Sequence, residues 1–240
     1  MKTNLVIVWS MGIILFAVSC DAAQWDFYGS ARVSMFWTKY SEDRPESSET
    51  VQLGDIMHSN ARIGATVQHK VLGGGFEYGA CEGDANIRKL YGTVELNFGN
   101  LLIGKNYSPL GVDNFISTQC ENNYNICMLQ YTAYTGRNAM IQYSRNGFKL
   151  AVLEPGKKIN NPEVLMPQIQ ASYDWEIEPV NLHFAGGIQH YVMDMGEGDS
   201  LTAYELSAVG SYSVIGPLQV SMSGFYGQNV GILGDYTGSL

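Results

Sequence analysis

Charged residues are scarce in this chain of 240 residues, and apolar runs long enough to span a membrane are absent after the N-terminus. Asp, Glu, Lys and Arg make up 15% of the sequence, whereas an ordinary soluble domain has about 25%. The formal net charge of −9 argues against a nucleic-acid partner, because such partners are bound by clustered positive charge. Glycine and tyrosine are abundant, with 27 and 15 copies. This composition suits a barrel wall that is apolar outside, wet inside and banded with aromatic residues.

Motifs for catalysis and metal binding are also missing. The sequence contains no GxSxG, HExxH, phosphate loop or paired-carboxylate motif. Its four histidines are scattered and follow no ligand spacing: His58, His69, His183 and His190. We therefore predict no enzyme, no cofactor and no metal site. A barrel enzyme with a serine and a histidine on the wall is the alternative, held back because no histidine shares an evident level with a serine and a carboxylate.

The N-terminus has the layout of a secretory signal peptide. An apolar run of 14 residues follows Lys2, and the small-residue stretch SCDAA follows that run. The run is shorter than the ~17 to 25 residues that a membrane-spanning helix needs. We predict a signal peptide over residues 1–22 and a mature domain over 23–240. A lipid-modified Cys20 is the alternative, although the usual upstream leucine of a lipoprotein cleavage box is absent.

Alternation of apolar and polar side chains recurs along the mature chain. The clearest example covers residues 168–177, where apolar side chains such as Tyr173 and Trp175 alternate with Gln, Ser, Asp and Glu. A strand with one face in lipid and the other in water must alternate in this way. A first strand over residues 25–38 has the same pattern and aromatic residues at both ends. We count eleven strands and no helical periodicity of comparable strength.

The connections between these strands alternate in length. The short ones are Gly73–Gly75, Asn97–Asn100, Asn146–Gly147, Glu178–Pro179 and Ile215–Pro217. Transmembrane barrels have short periplasmic turns and long outer loops, and Asn-Gly between alternating runs is a strong hairpin signal. The sequence therefore predicts an all-β fold, an antiparallel transmembrane β-barrel.

One connection is too long to be an ordinary loop. The irregular segment from Ser108 to Thr135 is about twice the length at which a structureless loop in a compact fold needs a function. We predict that it folds into the bore of the barrel and narrows it.

Four segments of the chain resemble Gram-negative general porins in the family's order: FYGSARVSMFW, SNARIGATV, KLYGTVELNFGNLLIGKNYSPL and GRNAMIQYSRNGFKLAV. The third is the most specific, because in such porins a strand–turn–strand of this form leads into the third loop, which folds into the pore. The resemblance implies a homotrimeric, sixteen-stranded barrel in the outer membrane, in contact with its lipid. It also implies passive diffusion of ions and small hydrophilic solutes, with a substrate-specific channel as a further alternative beside the barrel enzyme.

Two features depart from the porin pattern. Porins of this kind usually carry an arginine where this chain has Lys105, so the charge is kept but the planar fork is lost. Eleven strands also cannot close an even-numbered barrel, and residues 237–240 lack the usual terminal aromatic residue. We therefore expect an N-terminal fragment that contains about 11 of 16 strands.

Six charged residues are predicted to line the pore constriction. The wall residues are Arg32, Arg62, Lys105 and Arg137, and the loop residues are Asp113 and Glu121. A positive wall that faces a negative loop sets up a transverse field, which is the arrangement that the porin resemblance implies. The alternative for each residue is a charge that is simply solvated in the lumen. Arg88 and Lys89 stand at a strand entrance and are expected to be rim charges.

Two cysteines lie within the same long loop. Cys120 and Cys127 flank six residues, and an exported protein meets oxidising conditions. A disulfide between them is expected to contribute roughly 2 to 3 kcal/mol by restricting alternative loop shapes. Cys81 is left over, so three pairings stay open. A metal site is disfavoured because no Cys-x-x-Cys pair or neighbouring histidine is present.

Overall fold

The computed structural model describes residues 22–31, 35–38, 50–53, 61–81, 84–110, 135–155, 162–164, 166–193, 200–215 and 218–233. The predicted signal peptide lies almost entirely outside these ranges. Five of the predicted site residues also lie outside them: Arg32, Asp113, Cys120, Glu121 and Cys127.

Among the described residues, eleven antiparallel strands lie side by side in one twelve-stranded sheet, in agreement with the count from sequence. Their bounds are β1 Gln24–Ser30, β4 Arg62–His69, β5 Leu72–Cys81, β6 Asp84–Leu96, β7 Gly99–Tyr107, β8 Arg137–Arg145, β9 Phe148–Leu153, β11 Gln168–Ile177, β12 Val180–Met193, β13 Ser200–Ile215 and β14 Leu218–Gln228. They follow each other in this order across the sheet. A short strand, β10 Pro162–Val164, also pairs with β12.

The first predicted strand is two strands with different partners. β1 ends at Ser30 and pairs with β4, whereas β2, Met35–Thr38, pairs with β3, Thr50–Leu53, in a separate two-stranded sheet. The prediction of one spanning strand over residues 25–38 is therefore wrong. Alternation continues through both strands, but it carries no information about which strand is the partner.

The Asn-Gly hairpin is confirmed. Asn146 and Gly147 have φ values of 50° and 82° between β8 and β9. Two consecutive positive φ values define the type I′ turn, whose twist matches that of the flanking strands. This turn sets the β8–β9 register that brings Ile141 opposite Val152.

Polar and apolar side chains are distributed inside out. The outward face carries large exposed apolar residues such as Phe27 and Ile63, which are 75% and 65% exposed. The opposite, inner face carries fully buried polar residues such as Gln170, Gln189 and Glu205. A soluble protein shows the reverse distribution. An apolar outer surface over a polar interior is the pattern of a transmembrane β-barrel wall.

The sheet has two edges in the part of the chain that the structure describes. β1 pairs only with β4, and β14 pairs only with β13. A single 3₁₀ turn, Val230–Ile232, follows β14. Among the described residues, no helix has the length and apolar character required to cross a membrane.

Candidate functional site on the inner wall

A β-bulge places two cations opposite one carboxylate. Glu77 on β5 pairs with Lys89 on β6, but Tyr78 pairs with Ile87, so Arg88 is the extra residue of the bulge. Tyr78 and Ile87 are exposed on the outward face. Glu77 and Arg88 are 1% and 5% exposed. The bulge thus puts Arg88 and Lys89 side by side against Glu77.

Three cations and a phenol surround the Glu77 carboxylate. Arg88 Nε donates a hydrogen bond to Oε1 over 2.6 Å, and Arg62 Nη1 lies 4.0 Å from the same oxygen. Lys89 Nζ lies 3.6 Å from Oε2, and Tyr28 Oη donates to that oxygen over 3.0 Å. Each interaction with the ionised carboxylate is charge-assisted or ionic. The result is a wall patch with a surplus of positive charge, which we call the Glu77 cluster: Tyr28, Arg62, Glu77, Arg88 and Lys89.

Glycines leave room for this cluster. A Cβ on Gly64 would lie 2.8 Å from the Tyr28 ring and 2.5 Å from the Phe76 carbonyl oxygen. A Cβ on Gly79 would lie 2.5 Å from Arg88 Cδ. All three distances are much shorter than a van der Waals contact. Glycine at these two positions therefore permits Tyr28 and Arg88 to lie flat against the wall.

Arg137 is connected to the Glu77 cluster through Tyr107. Arg137 Nη1 donates to Tyr107 Oη over 2.9 Å, and its guanidinium carbon lies 5.2 Å from the ring centroid. Lys89 Nζ lies 4.8 Å from the same centroid. Both cations are within the range of cation–π attraction. The structure thus links Arg62 and Arg137, two of the predicted wall residues, by way of Glu77 and Lys89.

Lys105 lies on the other face. Its register partners are Leu90 on β6 and Ala139 on β8. Leu90 is exposed on the outward face, and residues paired across an antiparallel sheet point to the same side. Ile103 and Ile141 continue this outward row. Arg137 and its register partner Tyr107 have the same strand parity, but they are the first residue of β8 and the last residue of β7, and there the Tyr107 ring lies beside Lys89.

The cations that sequence reasoning set aside are part of the site. Arg88 and Lys89 were expected at the rim, but they contact Glu77 on the wall. The expectation was wrong because β6 begins at Asp84, so both residues lie within the strand rather than at its entrance, and the bulge puts both on one side. Glu77 itself was visible in the sequence as a polar residue on a strand, with no sign that it would gather three cations.

The described ends of the long third loop lie against the inner wall. The Leu110 N–H donates to Gln170 Oε1 over 3.0 Å, and Gln170 Nε2 donates to Thr135 Oγ1 over 3.4 Å. The Leu110 side chain contacts Gly187, where an added Cβ would lie 2.6 Å from Leu110 Cδ1. Gln170 is on β11 and Gly187 on β12, well beyond the neighbours of β7 in the sheet. The two described ends of the loop therefore lie against the inner wall, whereas residues 111–134, on which the predicted inward fold rests, lie outside the described residues.

A second titratable cluster lies on the inner face of β9, β11 and β12. Asp174 pairs in register with His183, and the His183 Nδ1 and Asp174 Oδ1 atoms are 2.5 Å apart. Lys149 Nζ donates to the other carboxylate oxygen, Oδ2, over 2.8 Å. His183 is buried. The carboxylate thus orients the imidazole ring, as in an acid–base pair of a hydrolase.

Buried serines stand near this pair. The β13 residue opposite His183 is Val209, and Ser207 and Ser211 are two residues away on either side. Both serines are buried on the inner face. Diagonal neighbours in an antiparallel sheet lie about 7 to 8 Å apart. A histidine and a carboxylate thus share a level on the wall, and the two serines lie one diagonal step away from the histidine.

Two solved structures with a similar fold are of one outer membrane protein. No family model and no curated protein matches the sequence. A loop L8 deletion mutant of OmpT from Vibrio cholerae matches with a TM-score of 0.52 and 18% identity, over 86% of this chain and 70% of that chain. In-vitro folded OmpT in its trimer form matches with a TM-score of 0.50 and 18% identity, over 86% and 66%. The fold is that of a Gram-negative outer-membrane β-barrel. The outer membrane is accordingly the location of the chain.

This likeness corrects the expectation that the chain is not an enzyme. The matched protein is an outer membrane protein, and the match does not identify this chain as a general porin. At 18% identity the likeness concerns the fold alone. An outer-membrane barrel is compatible with catalysis as well as transport, so the assignment of function depends on the inner wall.

Proposed function

We propose that this protein is a channel for passive diffusion of ions and small hydrophilic solutes across the outer membrane. The observation that carries the proposal is the inner wall, where charged and amide side chains such as Glu77, Arg88 and Gln170 lie buried beside only a small apolar cluster around Leu102 and Met140. Small barrels fill their interior with side chains, whereas larger ones enclose a polar, wet lumen. We propose that the third loop, whose described ends lie against β11, supplies the narrow point opposite the wall cations.

The Glu77 cluster gives one side of this lumen a positive potential. Arg62, Arg88 and Lys89 share a single carboxylate, and Arg137 adds a further charge beside Tyr107. In a narrow passage such charges act on a passing ion at short range and at reduced dielectric. We propose that the loop residues Asp113 and Glu121 face them with the opposite sign. The opposing charges leave the channel only weakly selective.

A trimer is the proposed assembly. The matched OmpT has a trimer form, and the outward apolar face of this chain suits contact with both lipid and neighbouring subunits. Chemical cross-linking in native outer membranes, followed by gel electrophoresis without heating, should show a band at three times the subunit mass. A band at the monomer mass alone would contradict the assembly.

The proposed domain arrangement is a signal peptide over residues 1–22 followed by the barrel domain from residue 23. The apolar run after Lys2 supports it. N-terminal sequencing of protein isolated from outer membranes should begin at Ala23. A lipid-blocked N-terminus at Cys20 would contradict it.

Reconstitution in planar lipid bilayers tests the channel proposal. Addition of folded protein should produce stepwise, equal conductance increments that scale with salt concentration. Unfolded protein, added to the bilayer in the same way, serves as the control. A folded barrel that conducts nothing would rule out the proposal.

The Asp174–His183 pair favours a second candidate function, a barrel hydrolase. Its imidazole is oriented by a carboxylate, and Ser207 or Ser211 would supply the nucleophile. We expect hydrolysis of a lipid ester or peptide probe to fall at least 100-fold in His183→Ala if this candidate is right. The matched control is His190→Ala, because the His190 ring contacts Thr202 rather than a carboxylate. Equal turnover by wild type and both variants would exclude the candidate.

A further inference from the structure

One glutamine side chain contacts both ends of the third loop. Its Oε1 accepts from the N–H of Leu110, and its Nε2 donates to the hydroxyl of Thr135. Leu110 and Thr135 are the described residues that border segment 111–134. Gln170 is fully buried on the inner face of β11. A single amide on the wall therefore satisfies a donor from one end and an acceptor from the other.

A glycine beside this glutamine receives the Leu110 side chain. Gly187 is the register partner of Gln170, so the two positions form one site on adjacent strands. Leu110 is fully buried, and its Cδ1 occupies space that any Cβ at position 187 would enter. Leu110 thus makes an apolar contact with its side chain and a hydrogen bond with its backbone N–H. Both require the Leu110 backbone to lie against β11 and β12.

The two ends of the loop are also tied to each other. The Ser108 N–H donates to the Gly136 carbonyl oxygen over 3.2 Å, and the hydroxyls of Ser108 and Thr135 share a hydrogen bond. Both hydroxyl residues are buried. The two ends of the loop, its stem, are thus bonded to each other and are also fixed to β11 and β12 through Gln170 and Gly187.

We propose that Gln170 and Gly187 form an anchoring site for the third loop, and that this anchor sets the largest solute that the lumen admits. The anchoring follows from the contacts above, whereas its effect on solute size rests on the proposed channel function. Loss of Gln170 leaves the Leu110 N–H buried without its acceptor, which favours displacement of the loop stem from the wall. Gln170 and Gly187 are thus positioning residues, since they act through the loop.

The test uses two variants and two matched controls in the full chain, folded in detergent. Gln170→Leu removes the amide, and Gly187→Val fills the space under Leu110. Gln142→Leu changes another buried inner-wall glutamine, and Gly224→Val changes a strand glycine whose Cβ would meet no atom within 4 Å. Gly187→Ala adds only the clashing Cβ and replaces the valine variant if that variant does not fold.

Limited chymotrypsin cleavage within residues 111–134, followed by mass spectrometry, reports on anchoring without any conductance measurement. We expect cleavage about ten-fold faster in Gln170→Leu and Gly187→Val, because local opening controls access of the protease. The controls should match wild type. Equal cleavage in all four variants overturns the anchor.

Liposome swelling with sugars of increasing size reports on the second half of the proposal. The two anchor variants should admit larger sugars than the controls and change the unit conductance about two-fold. Faster cleavage with an unchanged size limit overturns the effect on solute size and leaves the anchor standing. Failure of wild-type protein to conduct overturns the channel function, and the cleavage result stays interpretable.

Discussion

Arg88 Nε donates a 2.6 Å hydrogen bond to Glu77 Oε1, although unbroken strand alternation would place Arg88 on the outward face. The bulge at this point costs the ladder one regular pairing and brings two cations to one carboxylate. Removal of one partner from a buried charge pair is strongly destabilising, because the other charge loses its compensation. Glu77 therefore has both an electrostatic and a structural role on this wall.

Replacement of Glu77 by glutamine should make the lumen more attractive to anions. Glu77→Gln keeps the size of the side chain and leaves Arg62, Arg88 and Lys89 with less compensation. We expect the zero-current reversal potential in a salt gradient to move toward anions. Glu95→Gln is the control, because Glu95 is exposed near the β6–β7 turn and lies apart from the cluster. An equal shift in both variants would contradict a local effect.

The wall and loop charges should have opposite effects on ion selectivity. Arg62→Gln with Arg137→Gln should move the reversal potential toward cations, and Asp113→Asn with Glu121→Gln toward anions. Lys105→Gln should have no effect, since Lys105 shares the outward row of Leu90. If both double variants keep the wild-type potential while conductance persists, these residues do not line the constriction.

Introduction of a methyl group at Gly64 should destabilise the barrel. In Gly64→Ala the new Cβ meets a backbone carbonyl oxygen at 2.5 Å, which cannot move without disturbing the β4–β5 ladder. The expected loss is about 1 to 3 kcal/mol in free energy of unfolding, measured by urea titration of tryptophan fluorescence. Gly92→Ala, where the nearest atom lies at 3.9 Å, should match wild type. Equal stability of the two variants would mean that Tyr28 and the Phe76 carbonyl do not lie next to Gly64.

A charge on the outward face should be costly, and the same charge on the inner face should be tolerated. Ile141→Arg places a guanidinium in the middle of the apolar surface, at a cost of about 2 to 4 kcal/mol near the bilayer midplane. Ser144→Arg is on the same strand, β8, and faces inward. Folding into vesicles, followed by the mobility of unheated samples on gels, measures both. Similar folding yields would mean that the two faces have been assigned wrongly.

The two loop cysteines should be joined. Digestion without reduction should release one peptide that contains both Cys120 and Cys127, lighter by two hydrogens than the reduced form. Free Cys81 should react with a thiol reagent in the unfolded protein. A peptide that links Cys81 to either loop cysteine would contradict this pairing.

The faces of the strands follow from sequence, whereas the sites on them largely do not. Tyr173 and Trp175 alternate with polar residues. Successive side chains of a strand point to opposite faces, so a wall with lipid on one face and water on the other requires this alternation. The same parity rule applied to Lys105 puts it in the row of Leu101 and Ile103, so its outward position was readable. The bulge at Arg88 was not readable, because no residue type marks the place where one strand gains a residue.

The anchor of the third loop shows a second limit of prediction from sequence, which is the distance along the chain between contacting residues. Gln170 is 60 residues from Leu110 along the chain, and their contact depends on the order of the three strands that separate β7 from β12 in the sheet. Local patterns carry no information at that separation. The Asp174–His183 pair spans only one hairpin, so a register drawn from the turn at residues 178–179 could have found it.

Pairing between consecutive wall strands also bears on how the protein reaches its final state. From β4 to β9, each wall strand pairs with the strand that follows it in the sequence. Apart from β8, which follows the long third loop, each new strand can therefore join the growing edge of the sheet after closing a short loop, which keeps the entropic cost of these steps small. Until that growth occurs within lipid, the apolar rows are exposed to water. If the chain is exported through an aqueous compartment, we expect a chaperone to cover these rows and to release one hairpin after another.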